Sequence, residues 1–131
     1  MTRIPEEDRD LFEQAIYLPM VLTVLTKDSA TIQTSSFKLK KPYLEWIEET
    51  MKDIQKDLAL VKRLMKAGEM KVERMQSDES FTMYMFLYKG YEEHHNYFNP
   101  RLRNAVENLL RFYLYGRFEQ MRNTNNNKEA N

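Results

Sequence analysis

Apolar residues along this chain follow two different rhythms, and the change from one to the other divides it. Leu11, Ala15, Leu18, Leu22 and Leu25 recur at alternating spacings of four and three, and Ile32 extends the stripe. Side chains so spaced share one face of an α-helix. Pro5 and the acidic run Glu6, Glu7, Asp8 mark the start, because proline fits a first turn and carboxylates favour the positive end of the helix dipole. This predicts a first helix over residues 5–33, kinked at Pro19, which cannot donate to the Ala15 carbonyl. Beyond a basic connector, Leu44, Ile47, Met51, Ile54, Leu58, Val61 and Met65 form an unbroken three-four heptad seam, the pattern of a helix packed lengthwise on another. Pro42 opens this second helix, and Lys62, Arg63, Lys66 and then Gly68 close it. Leu60 and Leu64 widen its apolar arc, so its last third is expected to touch more than one neighbour.

After Gly68 the period drops to two. "EMKVERMQ" alternates, "SDES" is a polar connection and "FTMYMFLYK" is rich in aromatics, which together predict a β-hairpin. Counting back from a four-residue loop pairs Val72 with Met85, Met70 with Leu87 and Arg74 with Met83, and that face is expected to lie on the helices. The opposite face carries Lys71, Glu73 and Met75 beside Thr82, Tyr84, Phe86 and Tyr88, too aromatic for a solvated surface. A third helix is expected with Asn99 as N-cap and Pro100 in first position, an arc of Leu102, Ala105, Val106, Leu109, Leu110, Phe112 and Tyr113, and an end or weakening at Gly116. Residues 123–131 have one apolar side chain, Ala130, and are expected to be a disordered tail. The expected fold is α+β and mainly helical: a single domain over 1–122 with two long antiparallel helices, a hairpin and a third helix.

Charge and composition narrow the function classes. Lys plus Arg and Asp plus Glu balance at 20 each, so no global field draws the chain to nucleic acid or an anionic membrane. The absence of Cys removes disulfides, thiolate metal sites and Cys nucleophiles, and fits a reducing compartment. The longest apolar run, Ile16 to Leu25, is too short to span a bilayer, and the acidic start is no signal peptide. A soluble, cytoplasmic protein is expected. No Gly-rich phosphate loop, Gly-x-Ser-x-Gly or His-Glu-x-x-His occurs, so catalysis and a bound cofactor are not expected.

The segments "MTRIPEEDRD", "SFKLKKPYLEWIEETM" and "KGYEEHHNYFNPRLRNAVENLL" resemble the YhjD-like small proteins of spore-forming bacilli, over about the first 115 residues. The resemblance implies a bacterial cytosolic origin. It brings no reaction, ligand or functional residue with it.

Three groups of residues bear on function. Tyr84, Phe86 and Tyr88 project together from one face of the hairpin and are the expected interface, with a second copy of the chain favoured as its cover. Arg101, Asn104, Asn108 and Arg111 lie at three-four spacing on the polar side of the third helix, and residues 100–122 hold five Arg against Glu107 and Glu119, a net of +3. Guanidinium and amide groups on a helix are chemically able to contact phosphates and bases, although a solvated face is the simpler reading. Glu92 and His95 stand in the Glu-x-x-His spacing that serves di-iron bundles when it falls on a helix. Such sites need two such motifs with two further glutamates, and His94 and His95 would point about 100 degrees apart, so no metal site is expected. The expectation is a non-enzymatic interaction or regulatory protein acting through protein contacts. A nucleic-acid-binding regulator and a metal-binding helical protein are the alternatives.

Overall fold

A computed structural model describes the backbone of residues 2–130 and the side chains of residues 2–124. Its elements are helix α1 (Glu6–Gln33), helix α2 (Lys41–Ala67), strands β1 (Met70–Ser77), β2 (Phe81–Tyr88) and β3 (Tyr91–Phe98), and helix α3 (Asn99–Ala130). The fold is α+β and mainly helical, as expected, but the hairpin is extended by a third strand into an antiparallel sheet of order β1-β2-β3. Among the described residues no helix is long and apolar enough to cross a membrane.

The three helices form a bundle. α1 is helical without interruption through Pro19, whose carbonyl accepts from the Thr23 hydroxyl at 3.0 Å. Its buried arc extends beyond the Leu11–Leu25 stripe on both sides, to Phe12 and Ile16 on one and to Tyr17 and Val21 on the other. The cause is position: α1 is packed against α2, α3 and the sheet. The seam of α2 is where the periodicity puts it, with Ile47, Ile54, Leu58, Val61 and Met65 buried. α2 meets α1, α3 and β1, but Leu60 and Leu64 take little part in this and stay 43% and 46% exposed. α2 ends at Gly68, where an added Cβ would meet the Met70 Sδ at 3.2 Å, and the left-handed turn falls on Glu69 (φ 55°).

The register of the hairpin corrects the expected one. Met70 pairs with Tyr88, Val72 with Phe86 and Arg74 with Tyr84. The Asp78 carboxylate accepts from the amides of Ser80 and Phe81, both at 2.8 Å, and closes the turn two residues tighter than a four-residue loop. A bulge between Arg74 and Ser77 then returns one of the two. The net slip of one residue exchanges the faces of β2 relative to Met70 and Val72. Thr82, Tyr84 and Phe86 therefore turn inward with Met70, while Met83, Met85 and Leu87 lie on the outside, half-buried.

β2 passes to β3 through Lys89 and Gly90, both at positive φ (49° and 88°). That conformation matches the strand twist in tight hairpins and is the reason glycine occupies position 90. α3 begins at Asn99 and Pro100, but the Asn99 side chain does not cap it. Its amide donates to the Asp78 carbonyl at 2.9 Å and its carbonyl oxygen accepts from Thr82 at 2.7 Å, fastening the helix start to the hairpin turn. α3 runs antiparallel to α2 and continues past Gly116, contrary to expectation, because contacts persist beyond it: Arg117 pairs with Glu49 at 2.7 Å, and Phe118 packs near Trp46 at 6.4 Å. Its backbone is helical through Ala130, across most of the span expected to be a tail, and Asn131 lies outside the described residues.

Candidate functional site

Of the expected interface residues, Tyr84 and Phe86 are part of the chain's own core and Tyr88 is partly buried against it. Phe86 is fully buried between two rings: Phe12 of α1, with centroids 4.4 Å apart and planes within 2°, and His95 of β3, also at 4.4 Å. Tyr84 meets Tyr97 edge-on at 5.8 Å, and the Tyr88 hydroxyl donates to Asp8 at 2.7 Å. The cover sought for these aromatics is α1 of the same molecule. Phe12 lay outside the stripe that predicted the packing face, although Phe12 and Ile16, four apart, were the signal for it.

The histidine segment is a strand rather than a helical turn. On a strand, residues three apart face opposite ways, so Glu92 points outward and is exposed while His95 points inward. The Glu-x-x-His pair is thereby taken apart, and among the described residues no three His, Asp or Glu side chains converge as metal ligands. What forms instead is a clamp built on Glu93. One carboxylate oxygen accepts from the Thr2 hydroxyl (2.8 Å) and meets His95 Nε2 (3.0 Å), and the other accepts from the Arg3 amide (2.9 Å). The Arg3 guanidinium lies over the Tyr91 ring at 4.7 Å, and Ile4 is buried beside it. These donors hold the Glu93 carboxyl below its ordinary range, the Arg3 amide most strongly and against the opposing effect of burial. An open hollow of about 610 Å³ adjoins the clamp, lined by Thr2, Arg3, Tyr91 and residues 92–95. Both oxygens of Glu93 are engaged, which suits a structural fastening of the first residues to β3. The alternation Tyr91, Glu93, His95, Tyr97 was legible as a strand face and went unread.

Two buried hydroxyls nearby differ. Tyr17 donates to Glu13 at 2.6 Å, and burial reinforced by that bond pushes its phenol well above the ordinary value. The Tyr97 hydroxyl is buried with no hydrogen bond of good geometry, the Arg9 guanidinium being the group beside it, and burial pushes its phenol up to about 12.

On α3, Arg101, Asn104, Asn108 and Arg111 are brought together on one exposed side. Part of the helix's positive charge is locally answered. Arg111 pairs with Glu107 at 3.7 Å, and Arg117 reaches across to Glu49 at 2.7 Å and Asp53 at 3.5 Å on α2. The Tyr113 hydroxyl donates to Asp57 at 2.6 Å, so Glu49, Asp53 and Asp57 of α2 meet Tyr113 and Arg117 of α3, away from the side that carries Arg101 and Arg111.

The remaining surface of interest is the outer face of the sheet. Its central strand presents Phe81, Met83, Met85 and Leu87 in succession, and none of them belongs to the buried core or to the apolar residues packed against it. Beside them Phe98 is 49% and Met75 51% exposed. The edges are polar: Lys71 and Glu73 on β1, and Glu92, His94 and Asn96 on β3. The helices lie behind the other face.

Comparison with known proteins covers most of the chain. The family model described as "YhjD protein" matches residues 3–118. The chain is 44% identical over 115 residues to the uncharacterized protein YhjD of Bacillus subtilis (strain 168), covering 88% of this chain and 96% of that one. No solved structure matches.

Proposed function

The chain belongs to the YhjD family, and on that premise we propose that it acts without catalysis, as a small cytoplasmic interaction protein whose contact surface is the outer face of its sheet. One observation carries this reading. The central strand carries an unbroken apolar row, half-buried except for the exposed Phe81, that among the described residues is not part of the core or packed against it, and charged and polar side chains border it on both edges. Contiguous apolar surface rimmed by polar residues is the pattern of a protein contact site. Both carboxylate oxygens of Glu93 are bonded within the clamp, which is why catalysis is not assigned to it.

A photo-crosslinking side chain placed at Met83 in the producing cell tests the reading. A discrete cross-linked protein product is expected from position 83 and not from Lys62 on the far side of α2. Equal labelling at the two positions, or none at 83, overturns it.

Nucleic-acid binding is the second reading, favoured by the shared exposed side of Arg101, Asn104, Asn108 and Arg111. Its weakness is the pairing of Arg111 and Arg117 with carboxylates. Gel shift at low and at physiological salt tests it, since retention by phosphate contacts falls steeply with salt.

A further inference from the structure

The outer face is complementary to itself, and we infer that its occupant is a second copy of this chain, packed sheet on sheet with β2 lying along β2. This rests on the proposed role of that face as a contact surface and names the partner. The argument starts from the cross-strand rows. Lys71 pairs with Leu87 and Leu87 with Glu92, so one row reads Lys71, Leu87, Glu92 from β1 to β3. The next reads Glu73, Met85, His94, and farther along β2 Met83 stands beside Asn96 and Phe81 beside Phe98. Each of the first two rows has an apolar centre and ends of unlike character.

Consider a two-fold axis between two copies, parallel to β2. It exchanges the edges of the sheet, setting β1 over β3 of the other copy while keeping each row at its own level. Lys71 then meets the partner's Glu92, and Glu73 meets the partner's His94, each contact occurring twice. The apolar centres fall on each other: Leu87, Met85, Met83 and Phe81 meet their own copies along the axis. Turning the second copy about an axis across the strands, with the faces fully overlapped, instead sets Glu92 against the aromatic row of Phe81 and Phe98 and leaves it without a base. Only the first arrangement satisfies both charged ends, and an isologous contact of this kind closes as a dimer instead of propagating.

Size sets the strength. Three strands about 4.8 Å apart and eight residues long make a face of roughly 14 by 26 Å. Counted over both copies this is roughly 730 Å², below the size of stable specific interfaces and in the range of weak, transient ones, so a dimer dissociating at about 0.1 mM or above is expected. The methionines suit it, since flexible thioethers adapt to the aligned packing of twisted sheets.

Sedimentation equilibrium of the full chain from micromolar to millimolar concentration tests the inference. The parent is expected to pass from monomer to dimer. Lys71→Glu, which sets two carboxylates against each other twice per dimer, is expected to weaken association roughly tenfold. The exchange Lys71→Glu with Glu92→Lys restores it, and Met85→Glu abolishes it with the circular dichroism spectrum and melting temperature unchanged. A parent that stays monomeric throughout overturns the inference, and so does a dimer indifferent to Met85→Glu or an exchange that fails to restore it. A monomeric parent that still yields a cross-link from Met83 to a different protein removes the self-association alone. Absence of that cross-link as well removes the contact surface itself.

Discussion

The two faces of β2 are built from alternate residues of one eight-residue strand and have opposite fates. Tyr84 and Phe86 are buried, with Phe86 held between two rings, while Met83, Met85 and Leu87 are half-buried by their strand neighbours alone. Both sets are apolar, so hydrophobicity does not explain which turns inward. Shape and partners do: the flat ring of Phe86 has Phe12 on one side and His95 on the other, whereas among the described residues the methionines are not packed against the core. Composition tells that a residue wants burial, and only the register tells where it gets it.

That contrast can be broken in order of effect. Phe86→Ala removes a fully buried ring from both stacking partners and is expected to cost about 3–5 kcal/mol in urea unfolding. A cost under about 1 kcal/mol would mean that the inner face is not the core. Glu93→Gln, also on the inner face, weakens three contacts and is expected to cost about 1–2 kcal/mol near neutral pH. Because the folded Glu93 carboxyl lies below its ordinary range, its contribution is present above that range and fades as pH falls through it. Glu93→Gln is thus expected to flatten the acid limb of the stability profile, and an unchanged limb counts against the clamp. Tyr97→Phe removes a buried hydroxyl with no hydrogen bond of good geometry and is expected to be neutral or stabilising by up to about 1 kcal/mol at neutral pH. Its phenol titrates near 12 when folded, so the parent loses that part of its stability as pH rises above about 10, and Tyr97→Phe is expected to lose less. A destabilised Tyr97→Phe would show that the hydroxyl is bonded after all. Met85→Ala, measured at concentrations where the chain is monomeric, is expected to change stability by about 0.5 kcal/mol or less. A cost like that of Phe86→Ala would erase the difference between the faces.

Much of the helical part was legible because each helix carries its own signal. The seam from Leu44 to Met65 needs no knowledge of the partner, and Pro5, Pro42, Gly68 and Pro100 mark their boundaries locally. The sheet was less legible because its geometry is set by small local choices. The hairpin register depends on the Asp78 turn and on a single bulge, and one residue of error moves every side chain to the other face. β3 was hidden because Glu, Glu, His, His and Asn are poor strand formers, and the turn before it puts positive φ on Lys89 as well as on Gly90. Its inward residues are held by tertiary contacts, Glu93 by the amide of Arg3 and His95 by the ring of Phe86, which no local pattern announces. Of the site residues, the exposed side of α3 was read correctly from helical spacing, while Tyr84, Phe86 and Tyr88 were given to the surface for want of the register.

The clamp on Glu93 also has a meaning in time. Thr2 bonds a residue 91 positions later, and Phe12 stacks on a ring that enters the chain well after α2 is complete. A ribosome adding roughly 5–20 residues per second takes on the order of 5–20 s to deliver Glu93 after Thr2, against microseconds for a helix to form. During that interval α1 and α2 can already pair through the heptad seam, but Ile4 and Phe12 travel on the nascent chain uncovered. The start of this protein is therefore among the last parts of it to be finished.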